Sequence, residues 1–169
     1  NIKLELRSLS DVGLVGFPYA GKSTFLNKVS SAKPKIADYP FTTLRPHLGT
    51  IKYSDNSFVI ADIPGIIEGA SDGHGLGIKF LKHISRTGIL LFFLEAFSEI
   101  SVQDQFLKLK KELGDFSEKL LEKEFYIVVT KIDLIDEEAR FETLNTFNAK
   151  EFANAVSYTH LRAHETRNY

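Results

Sequence analysis

Gly16-Phe17-Pro18-Tyr19-Ala20-Gly21-Lys22-Ser23 satisfies the spacing G-x-x-x-x-G-K-S, and its flanks decide the fold. Residues 11–17 form an apolar run with two glycines, and Phe25, Leu26 and Val29 recur at helical spacing after the lysine. The predicted order is strand, loop, helix, the context that this loop pattern requires. Glycines let the backbone curl around a phosphate chain, successive N–H groups point inward, and a helix beginning at Lys22 aims its positive end at an anion. Lys22 is then placed to meet the β- and γ-phosphates of a nucleotide, and the Ser23 hydroxyl to ligate magnesium.

Outward from this loop, residues 31–46 hold three prolines and no sustained periodicity. Such a connection is longer than packing needs, and long loops are commonly functional. Residues 47–53 and 57–62 are predicted to pair as strands around the polar turn at 54–56. Residues 64–77 are glycine-rich and expected to be mobile, after which Ile78, Leu81, Ile84 and Ser85 follow a helical rhythm. Residues 89–94 and 125–129 are continuous apolar blocks, the pattern of strands covered on both faces. Val102, Phe106, Leu109 and Leu113 mark an amphipathic helix expected to stop at Gly114, with a further helical segment near 117–123. Asp136 is expected to open a last helix through Ala139 and Leu144, with no strand after it. Strands alternating with helices indicate an α/β domain with a mostly parallel sheet, its ligands at the carboxyl ends of the strands.

Composition removes other classes. The 169 residues are 43% hydrophobic and 25% charged, enough to bury one core. With 21 basic and 22 acidic side chains the net charge is -1, so no global field draws the chain to nucleic acid or an anionic membrane. The absence of cysteine excludes disulfides, a thiolate nucleophile and a cysteine-based zinc site, and fits a reducing compartment. The longest apolar run, at 89–94, is far short of a membrane span, and a soluble chain is expected.

Three further motifs narrow the chemistry. Asp62-Ile63-Pro64-Gly65 is D-x-x-G at a strand end, putting a carboxylate near the water shell of a magnesium ion and a glycine N–H near the γ-phosphate. Thr42 and Thr43, in the long loop, offer a hydroxyl to complete that shell. Thr130-Lys131-Ile132-Asp133 follows the second apolar block, and a carboxylate at Asp133 can accept from the N1–H and exocyclic amine of guanine. Adenine has no such donor pair, and a site that leaves buried polar groups unpaired with the wrong base discriminates by roughly 10⁴. Each motif is weak alone; their order, each at a strand terminus, points to GTP.

With these residues in hand, the chain resembles the G domain of the Obg family of bacterial-type GTPases, through GFPYAGKST at 16–24, KPKIADYPFTTL at 33–44 and DIPGIIEGASDGHGLG at 62–77. The resemblance is clear to about residue 135. It implies a P-loop NTPase fold of the Ras-like type, GTP binding with slow hydrolysis to GDP, and Mg²⁺ held by Ser23 and Thr43 with Asp62 acting through water. It also implies a first switch at Phe41, Thr42, Thr43, Leu44 and Arg45, a second opening at Asp62, Ile63, Pro64 and Gly65, and a role in large ribosomal subunit assembly in the cytoplasm. Lys22, Thr43 and Gly65 would then assist the reaction, with no membrane partner and no metal other than Mg²⁺.

Departures from the family pattern carry expectations of their own. Thr130 stands where asparagine is usual, losing an amide that could bond the base and brace the phosphate loop; an unreplaced bond costs about 1–3 kcal/mol. Tyr19 stands where some potassium-stimulated relatives carry asparagine, so no potassium activation is expected. Ile66, after D-x-x-G, cannot orient water, and a missing positioning group or arginine finger accounts for a factor of about 10³ to 10⁵ in rate. His74 and Glu68 lie in the second switch and read more readily as solvated loop side chains than as catalysts. Two other readings stay open: a GTP-binding module with negligible hydrolysis, and a P-loop ATPase or kinase.

The chain begins at Asn1 and has no methionine, and is expected to be a fragment: residues 1–10 a linker remnant, and 11–155 a G domain without its last strand and helix. VSYTHLRAHET at 156–166 resembles one frame of a transposase sequencing adapter, so residues 156–169 are expected to be non-native. An exposed sheet edge prone to aggregation would follow.

Overall fold

The computed structural model describes residues 10–36, 46–62, 87–148 and 156–158, with side chains excepted at 116, 144–148 and 156–158. The apolar run before the phosphate loop forms β1 (Val12–Gly16), and Lys22–Val29 forms helix α1. The other strands are β2 (Lys35–Ile36), β3 (His47–Tyr53), β4 (Asn56–Asp62), β5 (Ile89–Glu95), β6 (Glu124–Thr130) and β7 (Val156–Tyr158). Helix α2 covers Val102–Phe116 and α3 covers Glu137–Asn148. The seven strands join in one sheet, ordered β2-β3-β4-β1-β5-β6-β7. β1 pairs in parallel with both β4 and β5, and β5 with β6. Among the described residues only the β2–β3 and β3–β4 pairings are antiparallel. The expected α/β architecture with a mostly parallel sheet is therefore the observed one.

The apolar strands bury both faces. Val12, Leu14, Phe93 and Val128 pack with Leu26 of α1, whereas Val15, Phe92, Leu94, Ile127 and Val129 pack with Val102, Phe106, Leu109 and Leu113 of α2. Successive side chains of one strand thus serve opposite layers, which is why these stretches read as unbroken hydrophobic blocks. On the α2 side Phe106 meets Phe92 edge-on, centroids 5.1 Å apart. The sheet carries the carboxyl ends of β1, β4, β5 and β6 to one edge, where they close on Gly16, Asp62, Glu95 and Thr130.

Several boundaries differ from expectation. Helix α2 runs through Gly114 to Phe116. A Cβ there would lie 3.0 Å from Leu121 Cδ1, so the glycine makes room for a neighbouring turn rather than ending the helix. The segment after α2 contracts to a 3-10 turn, Glu118–Leu120, with Leu120 buried. The long loop contributes β2, whose two exposed residues carry no periodic signal. A strand also lies beyond β6, where none was expected: Val156–Tyr158 pairs in parallel, Ile127 opposite Val156. Backbone groups along the open edge of an apolar strand accept any extended segment that reaches them, and Val and Tyr favour that conformation. The second-loop and following-helix expectations, and the first switch at 41–45, fall outside the described residues.

Candidate functional site

The loop from Phe17 to Ala20 closes as a tight turn, Ala20 N–H donating to the Phe17 carbonyl at 3.2 Å. Pro18 presets φ at the second position, and Tyr19 takes φ 66° at the third, where a type II turn demands a positive value. Tyr19 is 89% exposed, so its side chain meets no packing restraint in that conformation. Gly21 follows at φ 88° and leads into α1. Gly16 answers to a different constraint: a Cβ would sit 2.7 Å from the Phe93 carbonyl oxygen, so the loop passes directly against β5.

Lys22 is buried, and its ammonium donates to the carbonyls of Gly16 at 2.7 Å and Phe17 at 2.8 Å. The lysine is curled under the loop that it follows. Burial holds its pKa below the ordinary 10.5, while the carboxylates of Asp62 and then Glu95 pull the other way. Beside it the Ser23 hydroxyl donates to Asp62 Oδ2, joining α1 to the end of β4. Asp62 is buried, yet its Oδ1 has no hydrogen-bond partner among the described residues. Such an orphaned carboxylate oxygen is costly unless a proton donor or cation shell completes it. A serine hydroxyl and a half-satisfied aspartate fit a magnesium ion that takes its other ligands from phosphate and water. Among the described residues no cluster of three His, Cys, Asp or Glu side chains offers a self-sufficient metal cage.

Thr130 lies at the end of β6, buried, its hydroxyl within 2.9 Å of the Ala20 carbonyl and 3.3 Å of that of Leu94. The expected loss of a brace is therefore corrected in part: the hydroxyl reaches the phosphate loop, and only the amide's reach toward a base is missing. Lys131 adopts φ 57° and pairs with Glu95 at 2.5 Å. Ile132 and Asp133 enter a 3-10 turn, Ile132–Leu134, with Asp133 exposed. Gly16, Phe17, Pro18, Tyr19, Ala20, Gly21, Lys22, Ser23 and Asp62 thus come together with Thr130 and its turn along one sheet edge. Phe41, Thr42, Thr43, Leu44, Arg45, Ile63, Pro64 and Gly65 lie outside the described residues.

Sequence reasoning passed over Glu95 and Gln105. Glu95 ends β5 between β1 and β6, so its carboxylate faces both lysines of the site. Gln105 clamps it: the side-chain amide accepts from Glu95 N–H at 2.9 Å and donates to the carbonyls of Glu95 at 2.9 Å and Ile100 at 2.8 Å. An acid at the carboxyl end of a central strand was a usable signal for Glu95. A glutamine beside an apolar helical stripe gave little for Gln105.

The family described as 50S ribosome-binding GTPase matches residues 11–131, from the residue before β1 through Lys131. The chain belongs to that family. Within it, GTPase Obg of Chloroherpeton thalassium is 56% identical over 143 residues, covering 84% of this chain and 43% of that protein. GTPase Obg of Rickettsia bellii is 53% identical over 161 residues, covering 94% and 49%. The resemblance to Obg read from the three motif stretches is borne out. The chain spans less than half the length of these relatives. Among solved structures, a variant of Era from Aquifex aeolicus bound to GDP.AlF4- superposes with a TM-score of 0.61 at 22% identity, covering 87% of this chain and 50% of that one, which shows the shared fold. Among the described residues no helix is long and apolar enough to cross a membrane.

Proposed function

We propose that this GTPase-family chain binds GTP with Mg²⁺ and hydrolyses it slowly to GDP and phosphate, as a two-state switch in assembly of the large ribosomal subunit in the cytoplasm. The observation that carries the reading is the group formed by Lys22, Ser23 and Asp62: a buried ammonium, a hydroxyl and a carboxylate with one unsatisfied oxygen, beneath the turn at 17–20. Bound Mg²⁺ would neutralise charge on the phosphates. Ser23 and Thr43 would hold it directly and Asp62 through water, while Lys22 moves from the Gly16 and Phe17 carbonyls to the β- and γ-phosphates. Gly65 would donate to the γ-phosphate, and Asp133 would read guanine. Loss of the γ-phosphate would release the loops at 41–45 and 62–65 together. The family's description as ribosome-binding supports the ribosomal partner.

Competition between GTP and ATP for the intact chain tests the nucleotide. GTP is expected to win by a wide margin, and equal competition would remove the guanine assignment. Ile66 favours a second reading, a binding module with negligible turnover. Single-turnover phosphate release separates the two, since slow Mg²⁺-dependent release is expected of the switch and none of the module. Equal rates in K⁺ and Na⁺ are expected, as Tyr19 offers no amide oxygen to a cation.

A further inference from the structure

The turn carrying Asp133 is poorly held by packing. Asp133 and Leu134 are exposed, none of residues 132–134 is buried, and its backbone closure is the single bond from Leu134 N–H to the Lys131 carbonyl at 3.1 Å. Lys131, which opens the turn, holds a left-handed φ of 57°, a conformation that costs a non-glycine residue energy and needs outside support. On one side that support is the Lys131–Glu95 pair.

On the other side it is Arg140. Its Nε donates to the carbonyls of Ile132 at 2.8 Å and Ile135 at 3.1 Å, and an Nη makes a longer contact of 3.5 Å with the Asp133 carbonyl. One guanidinium therefore gathers two carbonyls of the turn and that of Ile135, which caps it. Its planar, permanently charged fork fixes their mutual orientation in a way that a flexible ammonium does not. Helix α3 delivers the side chain: Asp136 Oδ1 accepts from Ala139 N–H at 2.8 Å, and the Asp136 carbonyl accepts from Arg140 N–H at 3.0 Å. The first turn of α3 and the Asp133 turn are thus one hydrogen-bonded unit.

The geometry points to Arg140 as a specificity-determining positioning residue, holding the turn so that the Asp133 carboxylate stands ready for a base that offers two adjacent N–H donors. This rests on the guanine reading of Asp133. The contacts of the Arg140 guanidinium are with main-chain carbonyls, so it acts through the turn and not on the base. Its effect belongs to the base edge alone, and to the exocyclic amine most of all, because a two-donor contact is sensitive to carboxylate orientation.

The test is titration of the full 169-residue chain, as wild type, Arg140→Ala, Arg140→Lys and Asp133→Asn, with GTP and with inosine triphosphate, which lacks the exocyclic amine. In both Arg140 variants GTP affinity is expected to fall by up to about tenfold while inosine triphosphate affinity falls less, so that their ratio narrows, with lysine retaining more of it than alanine. Should the alanine variant fail to fold, the lysine variant decides. A folded Arg140 variant with an unchanged ratio, or with both affinities lowered equally, overturns the proposal. An unchanged ratio in Asp133→Asn instead overturns the guanine reading beneath it.

Discussion

Lys22 enters the site at a disadvantage that only an anion removes. Its burial disfavours the charged form, so the pKa of the free protein lies below 10.5, burial being the larger cause and Asp62 and Glu95 opposing it. Between that lowered value and 10.5 the unfolded chain binds more protons than the native one, so stability of the nucleotide-free protein is expected to rise with pH across that window. Below the window the desolvation cost is present in full. A triphosphate at Nζ raises the pKa again, so GTP binding in the window should take up a proton. Calorimetry in buffers of different ionisation enthalpy reads this directly, and binding without proton uptake would contradict the contact. Thr130 gives a second expectation. Thr130→Val keeps the shape but strands the buried Ala20 carbonyl, at a cost of about 1–3 kcal/mol in urea unfolding; no loss would mean that the brace is idle.

At the level of elements, legibility followed burial. β5 and β6 were readable because a strand covered on both faces must be apolar throughout, and α1 because a strand and a glycine loop precede it. Gly114 misled because glycine signals a helix end only when its backbone turns left-handed, whereas here the missing side chain accommodates Leu121. β2 carried no signal in its exposed pair. The candidate site was legible where the proposed chemistry falls on side chains, at Lys22, Ser23, Asp62 and Asp133. Gln105 and Arg140 act on main-chain atoms of other segments, and such contacts leave no pattern in the sequence. Helix α2 tests the packing account. Ser101 caps it by accepting from Asp104 N–H at 3.1 Å, so Ser101→Ala should cost about 1 kcal/mol. Phe106, fully buried against Phe92 and Phe125, should cost about 3–5 kcal/mol as alanine. Thermal or urea unfolding of both variants checks the order, and a reversed order would mean that α2 is held by its end and not its face.

Across the whole molecule, parallel strands bring the ends of β1, β4, β5 and β6 to one edge, where Gly16, Asp62, Glu95 and Thr130 close the strands and the phosphate loop and the Asp133 turn follow β1 and β6. In the proposed reading, phosphate recognition falls to the β1–α1 loop and the end of β4 and base recognition to the turn after β6, and Thr130 ties the two through Ala20. Removing the base contact should therefore leave the phosphate half intact, which makes the nucleotide preference of Asp133→Asn the most direct measurement. An asparagine amide donates where the carboxylate accepts, matching the second carbonyl of xanthine. The account expects the variant to lose GTP and gain xanthosine triphosphate, with the phosphate contacts unchanged. Undiminished affinity for GTP, with no gain for xanthosine triphosphate, would contradict it.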